Sequence, residues 1–243
     1  MSKKTTRFRT DTTKKKHSLN GITEAINRDK RRHIKKEAIK RSKRRPIYKV
    51  SESHLDKLMH EHGLSEDKIM KADLSSADSG EINIILKRSD IPSTGIVIPY
   101  GDSDYKRVRL DKPIVINGNE AKYLSPLGSK NKLYIPEPVH EILDDTSKTL
   151  FITEGEFKAL KATQEGFSCI GLSGIWGFKS NKNLLPEFKN IKLKQRIIII
   201  VLDNDGSFNF SVLQGGTWLA IELAKLGAIP KVLTLPEIKG GIS

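Results

Sequence analysis

Three carboxylates and one lysine have the types and spacing that phosphoryl chemistry needs. Glu154 follows an apolar run at 149–153, and Asp203 and Asp205 close the stretch RIIIIVLDNDG at 196–206. Two aspartates two positions apart at a strand end can project from the same edge. Ligands of open α/β sheets gather at such carboxyl ends. Acidic oxygen donors there suit a hard divalent cation, Mg²⁺ or Mn²⁺. Asp-Asn-Asp-Gly is also ordinary turn chemistry, so the stretch gains meaning from Glu154. If the two strands are neighbours, three carboxylates converge. Two could hold metal while the third serves as ligand or general acid/base. Lys158, one helical turn beyond Glu154, could hold a phosphate oxygen while metal neutralises developing charge.

The elements required to position these groups are legible. Residues 197–202 are apolar without alternation, as a central parallel strand should be. Strands are expected at 149–153, 168–172 and 231–235, with helices at 156–165 and about 211–226 and a glycine-rich loop at 173–178. The segment 187–193 is amphipathic. This β-α-β alternation predicts a mostly parallel sheet with helices on both faces. Trp176 and Phe178 could stack on a base or simply pack the loop against the sheet.

Upstream, 53–76 reads as two short helices, capped by Ser53 and Ser65, with Gly63 ending the first. Lys68 and Lys71 are too few for groove recognition by the second helix, so a structural hairpin is preferred over a DNA-reading helix-turn-helix. His54, His60 and His62 read as helix-surface residues. Short strands are expected at 96–100, 105–110, 114–116, 121–124 and 132–135, interspersed with basic side chains. Those side chains either form a solvated face or line a groove for a nucleic acid backbone.

The net charge of +14 is unevenly placed: residues 1–50 carry +15 and residues 51–243 carry −1. Residues 1–20 have almost no apolar side chains and read as disordered. Residues 23–45 read as a very basic helix limited by Pro46. A basic arm on a neutral body points to a polyanion, nucleic acid before membrane surface. No apolar run approaches the ~20 residues that span a bilayer. The N-terminus lacks the pattern of a signal peptide, and the single Cys169 excludes an internal disulfide or a cysteine-based zinc ribbon. A cytoplasmic location is expected.

Glu154-Gly155 after one hydrophobic strand, and Asp203-x-Asp205-Gly206 after another, resemble the Toprim domain of primases, topoisomerases, nucleases and recombination proteins. That resemblance implies a Rossmann-like fold with Mg²⁺ at Glu154, Asp203 and Asp205. The blocks GIVIPY at 95–100, RVRL at 107–110 and AKYLSPLGSKNKLYIP at 121–136 resemble the segment before Toprim in bacterial primases. On that likeness Arg109, Lys122, Lys130 and Lys132 are candidates for template or nucleotide phosphates. HLDKLMHEHGLSEDKI, TEGEFKAL and LDNDG are most similar to primase-related Toprim proteins of plasmids, phages and integrated elements.

The resemblance covers residue 53 to the C-terminus, not the arm. Behind the basic arm that the charge distribution marks at 1–50, it implies a primase-like basic α+β subdomain at 51–147 and a Toprim domain at 148–243. The preceding zinc domain of primases has no counterpart here, and no helicase ATPase motif is present. The last residues, LPEIKGGIS, stop where relatives continue into a Gly-x-Asp-Asp segment, so the Toprim domain reads as truncated. The implied function is an Mg²⁺-dependent primase-like nucleotidyltransferase. It would bind single-stranded DNA and nucleoside triphosphates, with a partner helicase, in replication of a mobile element. The alternatives are a non-catalytic DNA-binding replication accessory and a Toprim nuclease. A topoisomerase needs a tyrosine nucleophile in a separate domain, and all five tyrosines precede the acidic site.

Overall fold

A computed structural model describes residues 49–101, 103–181, 183–202 and 210–235. They all belong to one compact unit, Tyr48–Ser243. The basic arm, apart from its last two positions, lies outside the described residues, as do Asp203 and Asp205.

The chain enters through α1 (Glu52–His60) and α2 (Glu66–Lys71). Ser65 caps α2 as expected, but Ser51 caps α1, its hydroxyl accepting from His54 N–H. Ser53 therefore lies inside the first turn. The two helices are a structural hairpin, as preferred: Gln164 of a later helix accepts from Ser65 N–H at 2.7 Å and donates to Gly63 O at 3.1 Å. The next two elements are not anticipated by the apolar pattern. They are a three-residue strand β1 (Ser75–Ala77) and helix α3 (Ser79–Leu86). Asp78 and Glu81 close α3 with a full capping box, and that Asp-x-x-Glu signal stands in the sequence.

Strands β2 (Gly95–Pro99), β3 (Lys106–Ile116) and β4 (Asn119–Leu124) follow as an antiparallel meander. With β1 on the outer side they form a sheet in the order β1-β2-β3-β4. The separate strand expected at 114–116 is instead the far end of β3, whose register against β4 shifts between Arg109 and Ile114. Pro113 lies in this irregular stretch, where a residue without N–H breaks no ladder bond. The N–H groups of Asp111 and Lys112 turn instead to Thr94 O and Ser93 Oγ. The strand expected at 132–135 does not form. Only Tyr134 pairs, as an isolated bridge to Gly171.

After the short α4 (Glu137–His140) come β5 (Leu150–Glu154), α5 (Glu156–Gln164) and β6 (Cys169–Leu172). The 173–178 loop contains a 3₁₀ turn, Ile175–Phe178. A small hairpin follows, β7 (Lys179–Ser180) with β8 (Asn183–Leu184). A second 3₁₀ turn at Pro186–Asn190 occupies the amphipathic stretch. Then come β9 (Ile197–Leu202), α6 (Phe210–Lys225) and β10 (Ile229–Thr234).

The second sheet is parallel throughout, in the order β10-β9-β5-β6. On one face Ile152, Ile198, Ile200 and Leu202 pack under Leu219 and Leu223 of α6. On the other, Phe151 and Cys169 pack against Phe157, Ala159 and Leu160 of α5. The α/β class with helices on both faces is thus as expected. Burial pushes the Cys169 thiol up to about 12, which makes it a core side chain rather than a reactive one.

Candidate functional site

The parallel sheet satisfies the geometric condition on which the acidic site depends. Strand β5 pairs directly with β9, with Thr153 beside Val201, and its last residue, Glu154, pairs with Leu172 of β6. Glu154 therefore stands at the carboxyl edge between two neighbouring strands. The strand on one side, β9, ends at Leu202, the residue before Asp203. Among the described residues no group of three His, Cys, Asp or Glu side chains could hold a metal ion. Glu154 is the one described member of the expected acidic set. An edge carboxylate beside the strand that leads to two more offers the hard oxygen donors that Mg²⁺ takes.

The turn after Glu154 is made by Gly155 with φ +92° and ψ 147°, a conformation nearly restricted to glycine. It lets the chain pass from strand to helix in a single residue. Lys158 lies exposed on the first turn of α5. With His62, Lys161 and Phe167 it lines a largely apolar cavity of about 530 Å³ beside the sheet.

Glu156, two residues past Glu154, is 1% exposed. It accepts a hydrogen bond from Tyr100 OH at 2.6 Å and pairs with the Arg107 guanidinium. Burial, followed by the Glu156 carboxylate, pushes the Tyr100 phenol well up, so it is a neutral donor. Arg107 also lies over the Tyr123 ring, 5.5 Å from its centroid. A buried ion pair thus joins β3 of the antiparallel sheet to the first turn of the helix that follows Glu154. Nothing in the local sequence distinguishes Glu156 from a solvated helix-start glutamate, so this link is invisible before the fold is known.

The expected basic residues fall into two places. Arg109 and Lys122 belong together, since both act on His62. Arg109 is not a surface group: it is 4% exposed, pairs in register with Tyr123, and its Nη2 lies 3.9 Å from Glu61. Its Nε and Nη1 make no hydrogen bond among the described residues. Lys122 is exposed. Lys130 is exposed in the segment after the turn at Leu127-Gly128, and Lys132 Nζ lies 5.2 Å from the centre of the Tyr105 ring.

Two of the three histidines depart from the surface reading. His60 is exposed and faces Asp56 at 2.9 Å, but His54 is buried and His62 packs its ring 4.7 Å from that of Phe157. Burial and then the nearby Arg109 push the His62 imidazole down to about 4. A histidine held neutral in the fold binds its proton more readily when unfolded. Its contribution to stability is therefore present above pH 6.5 and is lost as pH falls from 6.5 towards 4. The loss should be on the order of 2 kcal/mol after allowance for partial exposure. Urea midpoints measured across that range should fall less steeply for His62→Phe than for the wild type.

The aromatic loop takes the packing role. Phe178 is buried. Trp176 donates from Nε1 to Ser211 Oγ at 3.1 Å, and Lys179 Nζ sits 4.2 Å from its ring centroid. No helix among the described residues is long and apolar enough to cross a membrane.

A family model described as a domain of unknown function, DUF3854, matches residues 140–243. No curated protein matches the sequence. By structure the chain is similar to the Aquifex aeolicus primase, represented by its zinc-binding and RNA polymerase domains. The TM-score is 0.52 at 18% identity, over 77% of this chain and 50% of that one. The fold matches primase catalytic cores. A second likeness, to the DnaG catalytic core, has a TM-score of 0.50 at 14% identity and covers 81% of this chain and 67% of that one. The chain spans about half the length of the Aquifex chain. At these identities the likeness is one of fold.

Proposed function

We propose that this chain is an Mg²⁺-dependent, primase-like nucleotidyltransferase that acts on single-stranded DNA in replication of a mobile element. The observation that carries the reading is the placement of Glu154 at the carboxyl edge of a primase-type sheet, on the strand next to the one that runs into Asp203. Glu154, Asp203 and Asp205 would hold the cation. Bound there, Mg²⁺ would neutralise charge developing on a transferring nucleotidyl group. Lys158 and Lys122 would meet the phosphates of nucleotide and template, with Lys130 and Lys132 contacting the template backbone further along, while the enclosed Arg109 would add positive charge behind them without touching phosphate. Mn²⁺ is expected to substitute, because the donors are all oxygen. Strand separation would come from a partner helicase.

The test is primer synthesis on single-stranded DNA with labelled nucleoside triphosphates and Mg²⁺. Asp203→Ala/Asp205→Ala should reduce product by at least about 1,000-fold, because the groups that neutralise transition-state charge are removed. Their loss should leave the salt-sensitive DNA binding of the intact chain in place. DNA binding without synthesis by the wild type would overturn the reading in favour of a replication accessory. Shortened template in place of new product would mean a nuclease.

A further inference from the structure

A second constellation lies on the antiparallel side of the unit and shares no residue with the acidic edge. His54 Nε2 is 2.9 Å from both carboxylate oxygens of Asp111, and His54 Nδ1 is 2.7 Å from Ser76 Oγ. Thr94 donates to Asp111 Oδ2 at 2.6 Å and so fixes the carboxylate that orients the ring. With Nε2–H donated to Asp111, Nδ1 is the free acceptor and takes the Ser76 hydroxyl hydrogen. Ser51 N–H donates to Ser76 Oγ at 2.7 Å. Because Ser51 caps α1, the serine oxygen also stands at the positive end of a nine-residue helix. Both features favour charge growing on that oxygen.

Three elements are needed to bring these groups together: the start of α1, the outer strand β1, and the irregular stretch of β3 where Asp111 bonds to Thr94 rather than to β4. His54 is 7% exposed, so its ring is held. Ser76 is only half-buried and opens, with Thr94 and Asp78, onto a cavity of about 310 Å³, at the small end of ligand-sized clefts. A hydroxyl, a base in hydrogen-bond reach and a third group orienting the base is the arrangement that activates a nucleophile.

We infer that Ser76 is an activated nucleophile that accepts the acyl group of small carboxylic esters, with His54 as general base and Asp111 orienting it. The Ser76 hydroxyl proton passes to His54 Nδ1 as the Oγ–C bond forms at the ester carbonyl. The C–O bond to the leaving alcohol then breaks, and the alcohol takes that proton. Water, deprotonated by the same nitrogen, releases the carboxylic acid and restores the serine. The inference does not depend on the nucleotidyltransferase reading.

The full chain is treated with diisopropyl fluorophosphate, the adduct is mapped by tandem mass spectrometry, and p-nitrophenyl acetate hydrolysis is followed in parallel. One adduct is expected, on Ser76. Labelling and hydrolysis should slow by at least about 100-fold in both His54→Gln and Asp111→Asn. Ser76→Ala removes the acceptor of Ser51 N–H, so Ser76→Cys is measured beside it. That variant keeps an acceptor in place, and its labelling should pass to iodoacetamide. No adduct on Ser76 in the folded wild type, judged by circular dichroism, overturns the inference. Labelling of Asp111→Asn at the wild-type rate overturns it equally and leaves the three groups as a strap between α1 and the sheet.

Discussion

Replacing Glu156 by alanine is expected to destabilise the protein by about 3 to 5 kcal/mol, because it leaves the Arg107 guanidinium buried without its counter-charge. Arg107 is 7% exposed and Glu156 is 1% exposed, so neither group can turn to water without opening the core. Tyr100 OH would lose its acceptor in the same substitution. A domain's whole stability is about 5 to 15 kcal/mol, so the loss is a large share of it. Arg107→Met should cost a similar amount, for the mirror-image reason. The double variant Arg107→Met/Glu156→Leu should cost much less than the sum of the two, since an apolar pair of similar volume removes both desolvation penalties at once. What remains should be the unpaired Tyr100 hydroxyl, relieved by adding Tyr100→Phe. Urea denaturation of the wild type, Arg107→Met, Glu156→Leu and their double variant closes the cycle. Additive single effects would show that the pair is not coupled.

The second large effect is expected at Arg196. Its side chain is fully buried and donates to the carbonyls of Lys148, Leu143 and Ile142, each at 2.9 Å, and to Lys192 O at 3.5 Å. The guanidinium thereby ties the turn before β5 to the start of β9 and keeps the two central strands in register from their amino ends. Arg196→Met should cost about 3 to 5 kcal/mol, as several buried carbonyls lose their donors together. Arg196→Lys should recover only part of this, because an ammonium cannot span acceptors placed for a planar fork. Thermal unfolding distinguishes the cases: equal melting temperatures for the lysine variant and the wild type would show that charge suffices and fork geometry does not matter.

The legible parts of this protein are those in which one property of a segment admits a single environment. The unbroken apolar run at 197–202 becomes the inner strand β9, buried at Ile198, Ile200 and Leu202 on one face and more open at Ile197, Ile199 and Val201 on the other, and Glu154 after a second apolar run lies at a strand end. The two resulting strands are neighbours, although β6 lies between them in the chain and the connection into β9 holds only 3₁₀ turns and a small hairpin. Weak segments were decided by their neighbours. Strand β1 is three residues long and exists because β2 offers an edge, while residues 132–135 are apolar enough for a strand but contribute one bridge, at Tyr134. Helix α3 carried a readable capping box, yet its short apolar core gave too little period to be counted without its sheet.

Charged side chains divide in the same way. By type and spacing the sequence determined the parallel sheet, the edge position of Glu154 and the basic content of the antiparallel strands. Whether a particular cation faces solvent, another charge or a ring was decided only by the tertiary structure. Arg107 and Arg109 stand in one RVRL motif with Lys122 close by, but Arg107 is spent on Glu156, Arg109 is enclosed beside Tyr123, and Lys122 alone is exposed. His54 and His62 look like surface residues of one short helix, yet one is locked to Asp111 and the other is kept neutral against Phe157. The reason is physical. Burial of an apolar run follows from its own transfer free energy, whereas the state of a charged side chain depends on partners supplied from 50 or more residues away, as Glu156 is to Tyr100.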